Sequence, residues 1–357
     1  MQDIQTCTTA TVGLGAATIT TSAVPCGGDA GEPLVSVVLP TYDRPDYLAV
    51  AMSSAVAQTH HQLEILVCDN ASGVETTQVI RSFSDPRVRH LRNETNLGMT
   101  LNALNGYRAA RGKYIGTLHD DDAWQPDFVA KLVAGLEAHP NAVIAFSDHY
   151  LIDAAGKIKR RDTKRNTRRW GRHKLAAGLH QPFHRLALIH NSVPMAMATL
   201  VRKAAVNWDD FPTGIRAYDY WLTYLACRDG GAAFYLPERL TCYRTHPKMA
   251  TVCNSRYVDT GLLECYQRFL RDDRLREIWP ALHRMAATEH TRLGVTCMLE
   301  GQSAQARQHF RTGLSAPGIK PVIGQLLSLL PNAVALPILH CLLSCLHAFR
   351  LPPRHNG

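Results

Sequence analysis

The sequence predicts an α/β protein with a mainly parallel central sheet flanked by helices and a helical C-terminal extension. Short β-branched runs alternate with segments of helical periodicity between residues 34 and 146, which is typical of a parallel sheet with crossover helices. Polar clusters follow several of these strands, at the edge where parallel sheets bind ligands. After about residue 255, helical stripes continue without strand signals. The 357 residues suffice for one large domain or two ordinary ones.

The first strand is predicted over residues 34–39, a β-branched run that breaks at Pro40, and Leu48, Met52 and Ala55 then recur at helical spacing. The same alternation continues along the chain. The predicted segments are strand 63–68, a helix around 75–83, strand 88–91, a helix carrying Leu101 and Leu104, strand 114–118, a helix after Pro126, and strand 143–146.

Three consecutive carboxylates, Asp120, Asp121 and Asp122, follow the predicted strand 114–118. Like charges side by side at a strand end repel one another and need a counter-charge. A divalent cation would supply it, and hard oxygen ligands suit Mg²⁺ or Mn²⁺. An isolated Asp triplet is more often a solvated acidic turn, so the surrounding sequence decides between the two interpretations.

Other polar residues also lie at predicted strand ends. Thr41, Asp43 and Arg44 follow the first strand and Asp69 follows the second, so the topology gathers them beside the Asp triplet. Neither GxGxxG nor GxxxxGK[ST] follows an early strand, which disfavours dinucleotide oxidoreductases and P-loop NTPases. A bound nucleotide would therefore have its phosphates held by metal rather than by a glycine-rich loop.

Four motifs occur in order along the chain: Pro-Thr-Tyr-Asp-Arg at 40–44, Glu-Ile-Leu-Val-Cys-Asp-Asn at 64–70, Asn-Leu-Gly at 96–98, and the stretch 112–124 with its Asp triplet. Together they resemble the inverting family 2 glycosyltransferases, which have the Rossmann-like GT-A fold. The resemblance covers roughly residues 34–250, and its specificity lies in the order and spacing of the four motifs. A nucleotidyltransferase is disfavoured, because such enzymes carry a Gly/Arg-rich first loop where this chain has residues 40–45.

The resemblance implies a nucleotide-sugar site. Thr41 and Tyr42 correspond to residues that surround the base, and Asp69 to an acidic residue that contacts base or ribose. The implied donor-binding residues are Thr41, Tyr42, Asp43, Arg44, Asp69, Asn96, Gly98, Asp120 and His246, and the implied metal ligands are Asp121 and Asp122. His119 stands where the family pattern Leu-Asp-x-Asp-Asp has its first Asp, which shifts the expected register of the metal ligands by up to one residue.

Residues 218–222 resemble the family segment that carries the catalytic base, which makes Asp219 the expected base, although Tyr218 replaces the usual Glu. Asp219 could also simply cap the following helix. The implied activity is inverting transfer of a sugar from a nucleotide-sugar, with UDP-sugar preferred, to a saccharide or lipid-linked acceptor in surface polysaccharide or glycoconjugate synthesis. The cofactor would be Mn²⁺ or Mg²⁺. The alternative is a non-catalytic sugar-nucleotide-binding or scaffold protein.

The net charge of +9 is concentrated in residues 157–174, which hold ten basic residues and one aspartate. We interpret this segment as a basic loop. It could be a solvated face, or it could attract an anionic donor, acceptor or membrane surface. The sequence disfavours nucleic acid as a partner, because Trp170 is the one stacking residue in segment 157–174.

We expect a disordered tail over residues 1–33, a catalytic domain over 34–250 and a helical region over 251–357. No charged residue lies between Lys320 and Arg350. That segment could pack on the domain, mediate a homo-oligomer or lie on a membrane, and a true span would be interrupted by Pro331 and Pro337. Ten Cys without a CxxC pair suggest reduced thiols, so we expect a cytoplasmic location with peripheral contact at the inner face of the membrane as an alternative.

Overall fold

The computed structural model describes residues 13–14, 17–18, 31–249, 255–316 and 318–347. Two short strands, Gly13–Leu14 (β1) and Ala17–Thr18 (β2), pair antiparallel. The rest of the tail expected over residues 1–33 lies outside the described residues, apart from 31–33.

The main sheet contains nine strands of the described residues, in the order β5-β4-β3-β6-β10-β8-β11-β7, with β9 paired to β11. Strands β3, β4, β5, β6, β8 and β11 share one direction, and β7, β9 and β10 oppose it. This arrangement confirms the predicted mainly parallel sheet. The strands are β3 (Val35–Thr41), β4 (Leu63–Asp69), β5 (Val88–Arg92), β6 (Tyr114–Thr117), β7 (Ala123–Trp124), β8 (Ala142–Ile152), β9 (Gly178–His180), β10 (Thr199–Arg202) and β11 (Ala232–Arg244).

Strands β3, β4 and β6 are buried along their whole length, as expected for strands that are covered on both faces. Successive side chains point to opposite faces, so Val37 joins one core cluster and Val38 the other. Leu104 packs in the cluster with Val38, and Leu48 in the cluster with Val37. The covering helices are α1 (Pro45–Val56), α2 (Val74–Ser82), α3 (Met99–Ala109) and α4 (Phe128–Ala138).

The later helices are α5 (Arg160–Arg169), α6 (Tyr218–Cys227), α7 (Ser255–Phe269), α8 (Trp279–Leu299), α9 (Ser303–Gly313), α10 (Lys320–Leu327) and α11 (Asn332–His347). Helix α7 packs against the sheet domain, because Cys265 and Phe269 share a core cluster with residues of α6. Helices α9 to α11 form a smaller core with the end of α8, around the buried Phe310. In the part of the chain that the structure describes, no helix combines the length and apolarity that crossing a membrane requires.

One prediction about local structure was wrong. The basic segment 157–174 was expected to be a loop, but its centre is helix α5. The face that α5 buries carries Thr163, Asn166 and Thr167, so hydrophobic periodicity does not reveal it.

Helix α3 packs tightly on the sheet at Gly106. A Cβ atom there would lie 2.5 Å from both Cys68 Sγ and Val38 Cγ1. Gly106→Ala gains about 1 kcal/mol of helix propensity, but overpacking costs about 1–3 kcal/mol. We expect a net decrease in the free energy of unfolding, measured by denaturant titration. The control is Gly214→Ala, where a Cβ meets no atom within 4 Å. Equal stability of the Gly106 variant and the parent protein would contradict this packing.

Candidate functional site

The carboxyl ends of β3, β4 and β6 meet at one edge of the sheet, because the three strands are adjacent and parallel. Thr41 ends β3, and its Oγ1 donates a hydrogen bond of 2.9 Å to Asp120 Oδ2. The backbone N–H of Tyr42 lies 3.4 Å from the same oxygen. The structure therefore brings the first motif and the Asp triplet into direct contact.

Arg44 supplies positive charge to the triplet. Its Nη1 lies 3.2 Å from Asp120 Oδ1 and 2.9 Å from Asp121 Oδ2. His246 Nε2 lies 3.1 Å from the same oxygen of Asp121. From the sequence, a metal ion was expected to supply the whole counter-charge of the Asp triplet. The structure corrects this expectation, because side chains of the protein supply part of that charge.

The three carboxylates differ in protonation behaviour. Burial, together with the negative charge of Asp121, raises the pKa of Asp120 to about 6. Burial and the same neighbour raise the pKa of Asp122 well above its usual range. Burial also acts to raise the pKa of Asp121, but the hydrogen bond from His246 and the nearby positive charges outweigh it and lower that pKa. Asp121 is therefore the member of the triplet that holds its negative charge most firmly.

Three side chains here could hold a metal ion. Ligand atoms of His119, Asp121 and Asp122 all lie within 4.8 Å of one another. Asp122 Oδ1 accepts a hydrogen bond of 2.9 Å from the backbone N–H of Arg244, whereas its Oδ2 is buried without a hydrogen-bond partner among the described residues. An orphaned buried carboxylate oxygen beside another carboxylate and an imidazole fits a divalent cation. One nitrogen ligand suits Mn²⁺ better than Mg²⁺.

Asp69 lies on the other side of Thr41 and is fully buried. Its carboxylate accepts hydrogen bonds from the backbone N–H of Ser72 at 2.8 Å and from Arg92 Nη1 at 2.5 Å, and His90 Nε2 lies 3.0 Å away. Burial acts to raise the pKa of Asp69, but these hydrogen bonds outweigh it and lower that pKa. Asp69 is therefore a fixed anion in the floor of this edge.

The remaining predicted donor residues make hydrogen bonds within the loops near Asp69. Asn96 Oδ1 accepts hydrogen bonds from the Asn70 side chain at 2.8 Å and from the Gly98 N–H at 2.9 Å. Gly98 has φ of +81°, which favours glycine, and it precedes α3. Asp43 Oδ1 accepts a hydrogen bond of 2.7 Å from the Gly73 N–H. These residues shape the loops rather than contacting the Asp triplet.

Asp219 lies in the first turn of α6, but it caps no backbone group of that helix except the N–H of the adjacent Tyr220, at 2.8 Å. The hydroxyl of the preceding Tyr218 lies 2.6 Å from His119 Nε2. Burial lowers the pKa of His119, and the negative charges of Asp121 and Asp219 oppose that shift. Asp219 is thus close enough to the triplet for its charge to act on a member of the metal-ligand group.

The sequence did not point to several residues that the structure places here. His119 counted only as a departure from a pattern, although histidine beside carboxylates is itself a metal-ligand signal. Tyr47 packs against His246 with ring centroids 5.0 Å apart, and the Arg244 guanidinium lies 4.9 Å from the Tyr47 ring. No sequence signal marks Tyr47, because α1 is amphipathic and its polar face gives no sign of what it contacts.

A family model described as glycosyl transferase family 2 matches residues 36–198. These residues include the carboxyl ends of β3, β4 and β6 and the Asp triplet. The chain contains a family 2 glycosyltransferase domain. That domain holds every predicted donor-binding and metal-binding residue except His246.

The chain is also similar to curated proteins. An uncharacterized glycosyltransferase of Methanocaldococcus jannaschii is 28% identical over 203 residues, which are 56% of this chain and 67% of that protein. One from Rickettsia prowazekii is 28% identical over 54% of this chain and 59% of its own length. One from Haemophilus influenzae is 30% identical over 60% of this chain and 66% of its own length. The chain thus spans about three fifths to two thirds of the length of these relatives.

Solved structures share the fold. S. aureus TarS 1–349 has a TM-score of 0.59 at 14% identity, over 83% of this chain and 90% of that chain. The mannosyltransferase PcManGT from Pyrobaculum calidifontis, in complex with GDP-Man and Mn²⁺, has a TM-score of 0.55 at 17% identity, over 91% of this chain and 83% of that chain. These similarities confirm the predicted GT-A fold.

Arg44 should stabilise the metal-free protein, because removing it leaves two neighbouring carboxylates with less counter-charge. Breaking a buried ion pair costs about 3–5 kcal/mol, and the Arg44 side chain is 29% exposed, so we expect Arg44→Gln to cost about 1–3 kcal/mol. Urea unfolding in the presence of a chelator measures the change. The control is Arg81→Gln, since Arg81 is exposed on α2. Equal effects of the two substitutions would contradict the role of Arg44.

Proposed function

We propose that this protein is an inverting glycosyltransferase that transfers a sugar from a nucleotide-sugar to an acceptor hydroxyl. One observation carries the proposal. In a family 2 domain, Thr41 and Arg44 contact the Asp triplet at the sheet edge beside Asp69, and Asp219 lies on an adjacent helix within electrostatic reach of His119. The proposed base is thus close enough to the proposed metal-binding group for its charge to act on His119.

The donor would lie along the sheet edge. Asp69, which the family resemblance assigns to base or ribose, is fully buried and holds His90 and Arg92 at this edge. Tyr42, which is 48% exposed, offers a ring for the base. Structures with the same fold contain UDP-GlcNAc or GDP-Man, which supports a nucleotide-sugar donor. UDP is the preferred nucleotide from the family resemblance alone.

Asp121 and Asp122 would hold a divalent cation, with His119 as a third candidate ligand. When bound, the cation neutralises negative charge that develops on the leaving diphosphate. Asp120 stays hydrogen-bonded to Thr41 and faces the ribose side in this proposal. His246, which touches Asp121, would close the site near the phosphates.

Asp219 would act as the general base. It accepts the proton of the acceptor hydroxyl while the hydroxyl oxygen forms a bond to the anomeric carbon from the face opposite the diphosphate. The bond between that carbon and the diphosphate oxygen breaks, and the nucleoside diphosphate leaves with its electron pair. This single displacement inverts the anomeric configuration. General-base assistance contributes about 10²–10⁴-fold to such a step.

The alternative is a sugar-nucleotide-binding scaffold without turnover, and it arises because His119 and Tyr218 depart from the family pattern. These two side chains contact each other at 2.6 Å. Release of nucleoside diphosphate from a nucleotide-sugar in the presence of a divalent cation would distinguish the enzyme from the scaffold.

The acceptor is a saccharide or a lipid-linked saccharide in this proposal, and surface polysaccharide or glycoconjugate synthesis is the corresponding process. The C-terminal region adds a second surface, since several large apolar side chains there are exposed. Peripheral membrane contact and a homo-oligomer are the two uses we propose for them. They include Ile319, Val322, Leu326, Leu329, Leu330 and Val334.

Donor binding is tested by thermal unfolding of the full chain with UDP or GDP, each with Mn²⁺, Mg²⁺ or chelator. A ligand at about 100 times its Kd stabilises the native state by about 2.7 kcal/mol, which raises Tm by several degrees. We expect the largest rise with UDP and Mn²⁺ together, and little rise with chelator. A Tm that no nucleotide changes under any metal condition would overturn the proposed function.

Two substitutions separate catalysis from donor binding. We expect Asp219→Asn to bind UDP with Mn²⁺ as the parent does but to lose about 10²-fold or more of its transfer rate. Asp121→Ala should lose the metal-dependent part of UDP binding. Calorimetry measures binding, and release of nucleoside diphosphate measures turnover. Asp209→Asn is the control, because Asp209 is exposed on a short turn before α6. Near-normal turnover of Asp219→Asn would refute the assignment of the base.

A further inference from the structure

A cavity of about 240 Å³ lies on the side of Asp219 that faces the C-terminal helices. Asp219 and Tyr220 of α6 line it on one side, Arg169 and Trp170 at the end of α5 on another, and residues of α7 and α8 close it. Pockets for drug-sized ligands measure about 300–1,000 Å³, so this one is the size for a single sugar unit rather than for a nucleotide-sugar.

Asp219 lines this cavity, and its charge also acts on His119 at the donor edge. None of Thr41, Arg44, Asp69 or the Asp triplet lines the cavity, whereas Asp219 does. The proposed base therefore lies between two regions. One holds the residues assigned to the donor, and the other is enclosed by α5 and the C-terminal helices. A hydroxyl group that enters the cavity can meet the carboxylate that would accept its proton.

The cavity wall contains a cation without a carboxylate partner. The Arg169 guanidinium lies 5.1 Å from the centroid of the Trp170 ring, and it makes no ion pair with the described residues. Arg292 also lines the cavity, 3.7 Å from Glu289, and its charge lies near enough to act on Arg169. Asp219 and Glu289 also line the cavity, and Glu289 and Asp259 already supply negative charge near Arg292. Arg169 is therefore the cation of this wall that lacks a carboxylate partner among the described residues. A bound anion would supply that partner and offset the repulsion from Arg292.

We propose that this cavity is the acceptor subsite and that it selects a saccharide carrying an anionic group, a carboxylate or a phosphate, which pairs with Arg169 while the sugar ring packs on Trp170. The inference rests on the proposed function, because it takes Asp219 as the base. It also gives the basic helix a role at its last turn, where Arg169 is exposed, like the other basic residues of α5, but lines the cavity.

The test measures binding of three probes to the full chain in the presence of UDP and Mn²⁺, by NMR titration at constant ionic strength. The probes are methyl glucoside, methyl glucuronoside and glucose 6-phosphate, so that the last two distinguish a carboxylate from a phosphate. One added charge pair is worth about tenfold in affinity. We expect at least one anionic probe to bind about tenfold more tightly than the neutral glucoside. Equal Kd values for all three probes would overturn the inference.

Arg169→Gln should abolish this preference, and Arg169→Lys should restore part of it, since lysine keeps the charge and loses the planar group. Arg168→Gln is the matched control, because Arg168 is a neighbouring exposed arginine of α5 that does not line the cavity. Retention of the preference in Arg169→Gln would overturn the inference. UDP affinity, measured in the same samples, tests the proposed function separately: if UDP binds normally while the probes do not discriminate, only the acceptor inference fails.

Discussion

The site depends on how three consecutive carboxylates at the end of β6 are tolerated in a buried position. Isolated buried charges are costly, and like charges side by side add to that cost. The parallel pairing of β3 with β6 offsets part of it, because it places Thr41 and Arg44 opposite Asp120 and Asp121. A hydroxyl, a guanidinium and the imidazole of His246 thus hold the triplet together before any metal ion or donor binds.

Asp69, the other buried carboxylate near this edge, differs from the Asp triplet in its hydrogen bonding. Asp69 is fully buried, but Arg92, His90 and the Ser72 N–H satisfy its carboxylate within the protein. Asp122 keeps one buried oxygen without a partner among the described residues. The sheet edge therefore combines a carboxylate that is satisfied within the protein with an unsatisfied one that is suited to a cation. This difference supports the proposed division between the ribose end and the diphosphate end of the donor.

Much of the fold could be predicted from the sequence, because the strands of the parallel sheet are continuous β-branched runs and each is followed by a polar turn. The convergence of Thr41 with the Asp triplet was also predictable, since topology places parallel strand ends together. Helix α5 was not, because its buried face is polar and is held by side chains such as Asp148, which pairs with Arg172 and Thr167. Nor could the sequence show the contact between His119 and Tyr218, since it depends on how α6 docks against the sheet edge.

The C-terminal helices support a helix of the sheet domain, which their composition does not suggest. Cys265 and Phe269 of α7 pack in the same core cluster as Trp221 and Leu225 of α6. The helix that carries Asp219 is therefore supported on one side by the sheet domain and on the other by the extension. If the extension moved away, the cavity beside Asp219 would lose the wall that α7 and α8 provide, and Asp219 would face solvent on that side. The extension thus acts on the proposed chemistry by enclosing the acceptor side of the base, whatever contact its exposed apolar surface makes.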